Sequence, residues 1–493
     1  MRRKERAKEK ERERGREEPG TEVKKRRRMN REMAAVTYIF MFLFVFMASY
    51  VIWFLMGDTD KILNNPQNKR QELLAERIQK GSILSDKGKV LAKTETDSKG
   101  NEKRVYPYNE LLAHAVGRVS HGKTGLEASE GYTMLTTGIN PLTGLLNELK
   151  GEKNPGNNVV TTLNVKLSQI ASESLGSRRG AVVVTEPSTG KILALVSKPS
   201  YNPNQLDRNW EALIRDNDDD STLYNRATQG LYPPGSTFKL YTTLEYMRET
   251  SRYEEFRYTC TGSIGKGKDA INCYGHEVHG TIGLKKAFSE SCNAAFAQIG
   301  MGLNASDWNG LCSSLYYNKT LPIKELEQKS SRFDAANVEG KGDIMQAAIG
   351  QGTVLTTPLQ NSFLVSAVLN EGKLMKPYLV DRIEDTYGNV VRQQEPSEVA
   401  APITKKEAKV LKEYMREAVL SGTATALNTS RYKAGGKTGS AQFKEGSTDS
   451  HAWFVGYAEK EERQLVVSII VEGAGTGSAH AVPIARKIFD AYF

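Results

Sequence analysis

The stretch PPGSTFKLYTTLEYM, residues 233–247, carries the pattern on which the fold assignment depends. Pro233 and Pro234 disfavour a helix upstream, and the residues that follow predict a helix that begins at or near Ser236. A serine in the first helical turn lies at the positive end of the helix dipole, and Lys239 at i+3 lies on the same face. Ser236 is therefore a candidate nucleophile with Lys239 as its base, although a solvated helix face gives the same pair of residues.

A second polar element interrupts two helix-like segments in FSESCNAAFAQIG, residues 288–300. Ser291 and Asn293 lie in this interruption, and a loop between two helices can direct a hydroxyl and an amide into one cleft. The hydroxyl would relay a proton to a leaving amine, and the amide would bind a peptide-like substrate. Both residues are also common helix N-caps, so this element is weak evidence by itself.

The tetrapeptide GKTG occurs twice, at residues 122–125 and 436–439. The later copy follows the two elements above and lies among strand candidates. The earlier copy lies in a polar segment without a strand pattern. We therefore assign Lys437 to the candidate site and interpret Lys123 as a coincidental match.

The later copy has the groups that an extended peptide with a terminal carboxylate requires. A strand edge offers backbone donors and acceptors, and Gly439 leaves room for the close approach of a substrate. Lys437 and the hydroxyls of Thr438 and Ser440 would attract the carboxylate.

Strand candidates occur early and late in the region that contains these motifs. GAVVVTE and KILALVS, residues 180–186 and 191–197, form a hairpin pattern joined by PSTG. Three more candidates follow in GGKTGSAQF, AWFVGYA and QLVVSIIVE. Helices are predicted over 165–175, after a Thr404/Glu407 capping box, and from Pro483 to the end. The pattern predicts an α/β (α+β) fold with one antiparallel five-stranded sheet, flanking helices and a helical insertion.

The three short motifs, taken in order, resemble the signature of penicillin-binding proteins and serine β-lactamases. The likeness extends to RGAVVVTEPSTGKILALVSKPSYNPN, NRATQGLYPPGSTFK, HGTIGLKKAFSESCNAAFAQIG, IGQGTVLTTPLQ and HAWFVGYA. KGSILSDKGKVLA resembles the segment that opens the pedestal of class B, monofunctional members. The resemblance covers the chain from about Asn64 onward. It implies a serine β-lactamase/transpeptidase-like fold and a peptidoglycan D,D-transpeptidase that β-lactams acylate.

The resemblance also implies catalytic roles. Ser236 would attack the penultimate D-Ala of a stem peptide and release the terminal D-Ala, with Lys239 as general base. Ser291 would assist proton transfer. The backbone N–H groups of Ser236 and Ser440 would form the oxyanion hole, where one donor is worth roughly 3 kcal/mol.

The remaining site residues are implied to bind substrate. Asn293 would hold the donor peptide, and Lys437, Thr438 and Ser440 would bind its terminal carboxylate, with Gly439 between them. No cofactor and no metal is implied.

Two rival functions stay open from the sequence alone. A class A β-lactamase uses a further carboxylate to activate the deacylating water, and Glu325 and Glu327 are candidates by position alone. A β-lactam sensor or scaffold would keep an acylatable serine without crosslinking activity. A bifunctional glycosyltransferase is excluded, because about 98 residues between the apolar segment and the transpeptidase-like region are too few for a second catalytic domain.

Charge and hydropathy predict a single membrane span. Residues 33–56 contain no Asp, Glu, Lys or Arg, and 24 apolar residues exceed the roughly 30 Å hydrocarbon core of a bilayer. Residues 1–32 hold 15 Lys/Arg and 8 Asp/Glu, so 7 of the total +10 net charge precedes the span. The cluster KKRRR just before it places the N-terminus in the cytoplasm. Attraction to anionic lipid explains the basic tail more simply than nucleic-acid binding.

The sequence predicts four segments: a basic, disordered cytoplasmic tail (1–32), a transmembrane helix (33–57), an extracytoplasmic pedestal (58–155) and a transpeptidase domain (156–493). The predicted partners are stem peptides, β-lactams as covalent inhibitors and, by family analogy, a SEDS-type glycosyltransferase. The protein is expected in the cell membrane, with its catalytic domain outside the cytoplasm.

Four cysteines lie in the extracytoplasmic part. A Cys260–Cys273 disulfide that closes a glycine-rich loop is one expectation, and free thiols are another. Cys273, His276 and His279 fit no common zinc module by spacing, so no metal is predicted.

Overall fold

The N-terminal helix is long enough to cross a membrane. The structure, a computed structural model, describes residues 19–57, 63–64, 69–215, 221–338, 340–443 and 449–493. Helix α1 (Pro19–Gly57) contains a span candidate at Arg28–Phe54, which includes most of the predicted span. The prediction of disorder is wrong for residues 19–32, because Glu, Lys and Arg favour helix and an Arg28–Glu32 ion pair of 3.1 Å supports the turn. Residues 1–18 lie outside the described residues.

From Pro66 onward the chain forms a second compact unit. It contains a six-stranded sheet that draws strands from distant parts of the sequence. In spatial order the strands are Val390–Gln393, Val380–Glu384, Asn158–Thr161, Ile83–Leu84, Val90–Thr96 and Glu102–Val105. Helices accompany it at Arg70–Arg77, Ala113–Val116, Gly125–Ser129 and Pro141–Leu149. The predicted pedestal residues therefore share a sheet with two strands that lie more than 200 residues downstream.

The predicted five-stranded antiparallel sheet is confirmed. Its strands are β1 (Gly180–Thr185), β2 (Ile192–Lys198), β3 (Lys433–Gln442), β4 (Ser450–Lys460) and β5 (Arg463–Val471). Their spatial order is β3-β4-β5-β1-β2, and every neighbouring pair is antiparallel. The early hairpin and the three late strands thus form one sheet, and β3 lies at its edge.

Helices cover both faces of this sheet. In chain order the main helices are α2 (Val165–Leu175), α3 (Lys239–Glu249), α4 (Asn293–Gly300), α5 (Lys405–Leu420) and α6 (Val482–Tyr492). Of these, α2, α5 and α6 contact strands of the sheet, whereas α3 and α4 pack against each other in the insertion. Val182 and Val184 share a hydrophobic cluster with α2 and α6, whereas Ala181 and Val183 pack in a cluster with pedestal residues. This alternation is the period of two that a strand buried on both faces produces.

The insertion between β2 and β3 contains more helix than strand, in agreement with the predicted helical insertion. Besides α3, α4 and α5 it contains Leu206–Arg215, Leu284–Ser289, Ala305–Ser314, Gly340–Ala348, Pro358–Asn361 and Phe363–Leu369. Small strand pairs join Tyr258–Cys260 to Gly280–Ile282 and Ser263–Ile264 to Ile271–Asn272. The capping box at the start of α5 is present, with Thr404 and Glu407 each bonding the other's backbone N–H.

Candidate active site

Ser236 lies in a tight turn that leads into α3. Gly235–Phe238 form a 3-10 turn, and the α-helix begins at Lys239 rather than at Ser236. In a 3-10 turn residues i and i+3 eclipse each other, so Ser236 and Lys239 still share one side. Ser236 is half-buried and Lys239 is fully buried. The turn therefore carries a partly exposed serine and, three residues further on, a buried lysine.

Two contacts from distant segments hold this turn. Gly235, at φ +54°, donates its N–H to Gly350 O at 2.8 Å. The Trp453 indole Nε1 on β4 donates to Pro233 O at 3.0 Å. Gly350 and Trp453 were not predicted as site residues, because single-sequence patterns give no signal for contacts over this separation.

The Lys239 amine is surrounded by three oxygen acceptors. Nζ donates to Ser291 O at 2.7 Å, to Ser291 Oγ at 3.2 Å and to Asn293 Oδ1 at 2.7 Å. Burial lowers the pKa of Lys239 to about 7, because the low-dielectric surroundings disfavour the charged amine. An amine with this pKa exchanges its proton readily near neutral pH, which is what a general base requires.

Ser291 and Asn293 occupy the predicted loop between two helices. Ser291 follows helix Leu284–Ser289 and has a left-handed backbone (φ +60°), a conformation that costs a non-glycine residue about 1–3 kcal/mol. Asn293 begins α4, and its Nδ2 donates to Asn272 O at 2.8 Å. Both ends of the Asn293 amide are thus engaged, so this residue positions Lys239 as well as bordering the cleft.

Lys437, Thr438, Gly439 and Ser440 lie on the edge strand β3. Gly439 packs directly against the turn that carries Ser236: a Cβ added to it would lie 3.0 Å from Pro234 O and 3.2 Å from Thr237 Cγ2. The structure therefore brings the strand and the serine turn together.

Lys437 is fully buried beside the other site lysine. Its Nζ donates to Thr438 O at 3.1 Å and lies 5.7 Å from the centre of the Phe288 ring. Burial, reinforced by the positive charge of Lys239, holds the pKa of Lys437 well below its ordinary value. A carboxylate bound between these two buried amines would favour their charged forms, so the pair is suited to an anionic ligand.

Two further side chains border the strand and were not predicted. Thr423 Oγ1 lies 2.5 Å from Thr438 Oγ1. The Gln351 amide, with its nitrogen toward the carbonyl, donates to Gln442 O and accepts from Gln442 N, both at 3.2 Å. Gln351 thus pairs with the backbone at the end of β3, next to the part of the edge available to a peptide.

Comparisons with known proteins agree with this geometry. A family model described as the penicillin binding protein transpeptidase domain matches residues 180–490. The peptidoglycan D,D-transpeptidase PbpA of Mycolicibacterium smegmatis is 31% identical over 464 residues, which cover 87% of this chain and 91% of the relative.

Solved structures give the same result. Penicillin-binding protein A from M. tuberculosis, in its ceftriaxone acyl-enzyme complex, superposes with a TM-score of 0.77 at 29% identity, covering 85% of this chain and 99% of that one. The D,D-transpeptidase domain of a peptidoglycan glycosyltransferase from Eggerthella lenta superposes with a TM-score of 0.76 at 28% identity, covering 84% of this chain and 98% of that one.

Proposed function

This chain belongs to the class B penicillin-binding proteins, and on that premise we propose that its peptidoglycan D,D-transpeptidase reaction proceeds through an acyl-enzyme on Ser236. The observation that carries the assignment is the contact between Gly439 on β3 and Pro234 in the serine turn. That contact supports a site in which the hydroxyl, a buried lysine and a cationic strand edge share one cleft.

In the acylation step, Ser236 Oγ attacks the carbonyl of the penultimate D-Ala and its proton passes to the neutral Lys239 amine. The backbone N–H groups of Ser236 and Ser440 receive the oxyanion, which preorganised donors stabilise without reorganisation. Of the three acceptors around Lys239 Nζ, Ser291 Oγ alone carries a hydrogen of its own. Ser291 can therefore pass the proton from Lys239 to the departing D-Ala nitrogen.

The strand edge and the loop bind the donor peptide. The terminal carboxylate meets the Lys437 amine and the hydroxyls of Thr438 and Ser440, while Asn293 borders the peptide and holds Lys239. After D-Ala leaves, an amine from a neighbouring stem attacks the acyl-enzyme by the reverse proton path. A β-lactam, whose carboxylate and strained amide mimic the terminal dipeptide, forms the same ester on Ser236.

Incubation of the full-length protein in detergent with penicillin tests this assignment. The expected result is a long-lived mass increase of one antibiotic per chain, mapped to the peptide that contains Ser236 and absent in Ser236→Ala. Ser98→Ala, a change at an exposed serine in a hairpin turn, is the matched control and should label normally. An adduct on another residue would overturn the assignment, and fast release of hydrolysed penicillin would favour a β-lactamase.

Contacts of the two candidate glutamates favour the transpeptidase over the β-lactamase. Glu325 Oε1 accepts from Leu379 N at 3.4 Å, and Glu327 Oε2 accepts from Gln229 Nε2 at 3.2 Å. Both carboxylates are thus engaged by residues outside the three motifs, whereas a deacylating base would have to face the Ser236 ester.

The proposal also includes a membrane topology and domain boundaries. The basic cluster before the apolar part of α1 places the N-terminus in the cytoplasm, with the pedestal (58–155) and the transpeptidase domain (156–493) outside. A monofunctional enzyme needs glycan strands made elsewhere, so a SEDS-type glycosyltransferase is the proposed partner. Alkaline phosphatase fused to the C-terminus should be active in cells, and an inactive fusion would reverse the orientation.

A further inference from the structure

Helix Pro141–Leu149 directs its large apolar side chains away from the protein. Leu142, Leu145, Leu146 and Leu149 are 54% to 76% exposed. They recur at i, i+3, i+4 and i+7, so they form one stripe along the helix, which we call the leucine face. Among the described residues after α1, no other helix or strand exposes as many large apolar side chains. A contiguous apolar patch of this kind marks an interaction surface.

The inner side of the same helix is polar, and hydrogen bonds fix its orientation. Asn140 caps the helix, because its side-chain oxygen accepts the N–H of Leu142 at 2.9 Å. Asn147 Nδ2 donates to Oδ1 of the buried Asn154 at 2.9 Å, and Asn154 Nδ2 donates to Gly144 O at 3.4 Å. The helix is therefore amphipathic in the reverse of the usual sense. It cannot turn its leucines inward without breaking these bonds.

Short contacts join this part of the chain to the first helix of the second unit. Helix Arg70–Arg77 runs into Ile78–Gln79, which pairs in parallel with Asn154–Pro155. Lys153 Nζ also donates to Ala75 O at 2.6 Å. The helix that carries the leucine face ends four residues before Lys153 and packs on Asn154. The leucine face thus lies close to the helix that follows the membrane span in the chain.

The length of the connecting segment limits how far the leucine face can be from a bilayer. Residues 58–69 connect α1 to helix Arg70–Arg77 and, even fully extended, reach about 45 Å at most. The eight residues of that helix add only about 12 Å. The leucine face is therefore held near the membrane that contains α1. At such a high effective concentration, a short apolar helix can bind lipid without strong affinity of its own.

We propose that the leucine face inserts into the interface of the lipid bilayer that contains α1. The helix lies in the plane of the membrane, with its four leucines at the boundary between headgroups and acyl chains. The exposed Lys150 at its end extends toward the lipid phosphates. Another protein is a poorer occupant, because this helix is about 13 Å long, whereas a stable protein interface buries about 800 Å² on each side.

A lipid contact at this helix gives the second unit an attachment to the membrane besides α1. Two attachments restrict the rotation of a body on a surface more than one does. The contact therefore limits the orientations in which the cleft at Ser236 meets stem peptides. The inference goes beyond the transpeptidase reaction and does not depend on it.

Lipid quenching of a fluorescent label in the full-length protein tests the proposal. Leu146→Cys is labelled with the environment-sensitive fluorophore NBD and reconstituted into vesicles of equal parts phosphatidylcholine and phosphatidylglycerol, with or without nitroxide-labelled lipid. Glu462→Cys, at the exposed turn between β4 and β5, is the matched control. The native cysteines are buried, and unsubstituted protein measures their background labelling. We expect nitroxide lipid to remove about half or more of the fluorescence at position 146 and about a tenth or less at position 462.

Substitutions on the leucine face identify what carries the contact. Leu142→Glu combined with Leu145→Glu should reduce quenching at position 146 to the level of the control position, because carboxylates are poorly soluble in the bilayer interior. Lys99→Glu, in an exposed hairpin turn, should leave the quenching unchanged. Since both leucines are exposed, the double variant should keep the wild-type thermal midpoint and the wild-type rate of penicillin labelling.

Three outcomes would overturn the proposal. The label at position 146 could be quenched no more than the label at position 462. Its emission could shift to the blue without lipid quenching, and only at a high ratio of protein to lipid, which would assign the leucine face to a second copy of the chain. Quenching could also persist in the double glutamate variant. Each result is read without any β-lactam and with quencher in both leaflets, so it is independent of Ser236 and of the orientation of the chain.

Discussion

The tetrapeptide Gly-Lys-Thr-Gly occurs at two places in this molecule, and its environments differ in every respect that matters for chemistry. At 436–439 it is part of the edge strand β3, and Lys437 is fully buried beside Lys239. At 122–125 it forms the approach to a short helix, and the half-buried Lys123 donates to Gln71 Oε1 at 2.7 Å. Identical side chains become a candidate anion site in one place and a local structural contact in the other.

The difference comes from the backbone that each copy enters. Antiparallel pairing of β3 with β4 keeps Lys437 and Gly439 on one face, with a side-chain period of two. In the earlier copy, Gly125 adopts φ +57° and starts a helix, which turns the chain away from extended pairing. The same motif therefore indicates an active site only when it lies in the right secondary structure. Substitutions in the earlier copy can serve as controls for the same substitutions in the later copy.

The largest difference is expected from the two lysines. Lys437→Met keeps a chain of similar volume but removes the cation proposed to bind the substrate carboxylate, so the second-order rate constant of acylation by penicillin should fall about 100-fold or more. Lys123→Met should leave this rate unchanged. Stopped-flow labelling with a fluorescent penicillin measures both, and thermal unfolding checks that each variant is folded. Equal rates in the two variants would remove the distinction between the copies.

The next largest effect is expected in the pH dependence of the acylation rate, which reports on Lys239, the second buried lysine of the site. As the proposed base, the amine would accept the Ser236 proton only when it is neutral, and burial lowers the pKa of Lys239 to about 7. The acylation rate should therefore be level above that pH and fall about tenfold for each unit below it. Lys239→Arg should be inactive at every pH, because a guanidinium keeps its proton. A flat profile from pH 5 to 9 would show that Lys239 is not the base.

Alanine substitutions at the last glycine of each tetrapeptide, Gly439 and Gly125, should separate an effect on activity from an effect on stability. A Cβ at Gly439 would lie 3.0 Å from Pro234 O, so Gly439→Ala should shift the serine turn, slow acylation several-fold and cost roughly 1 kcal/mol of unfolding free energy. A Cβ at Gly125 would lie 2.7 Å from Ala115 O at a positive φ. Gly125→Ala should cost about 2–4 kcal/mol.

Acylation per folded chain should stay normal in Gly125→Ala, because its strain lies outside the site. Thermal midpoints and labelling rates, normalised to the folded fraction, measure the two effects. The opposite pattern, in which Gly125→Ala slows acylation and Gly439→Ala does not, would contradict the assignment of the later copy to the site.

Elements with strong local signals were predictable from the sequence. Helix α2 has the predicted bounds, and the capping box at Thr404 and Glu407 forms as expected. The five-stranded sheet was also predictable, because β1, β2, β4 and β5 are runs of valine, isoleucine and aromatic residues. The helical segment begins next to Ser236 as predicted, but its first turn is a 3-10 turn and the α-helix α3 itself begins at Lys239.

Strand pairings and contacts between residues far apart in the sequence were not predictable. All four residues of strand Val390–Gln393 in the six-stranded sheet are exposed, and they lack the apolar alternation that marks a strand. The Trp453 contact to the serine turn and the Gln351 contact to β3 join segments that no local pattern links. The proximity of Cys292 to Cys260, Cys273 and His279 was not predictable for the same reason, because Cys292 comes from the loop before α4 and the other three lie at the preceding short strands.

The smallest effects are expected from substitutions of the two threonines. The change at Thr438 should affect acylation, whereas the change at Thr124 should affect only thermal stability. Thr438 Oγ1 is held by Thr423 and is proposed to bind the substrate carboxylate, so Thr438→Val should slow acylation about tenfold or less, and Thr438→Ser should restore it. Among the residues that the structure describes, the buried Thr124 Oγ1 has no hydrogen-bond partner. Thr124→Val replaces that unpaired hydroxyl with a methyl group of similar size, so the thermal midpoint should be unchanged or higher and labelling should be normal. A loss of labelling in Thr124→Val would mean that the earlier copy affects the acyl-transfer site after all.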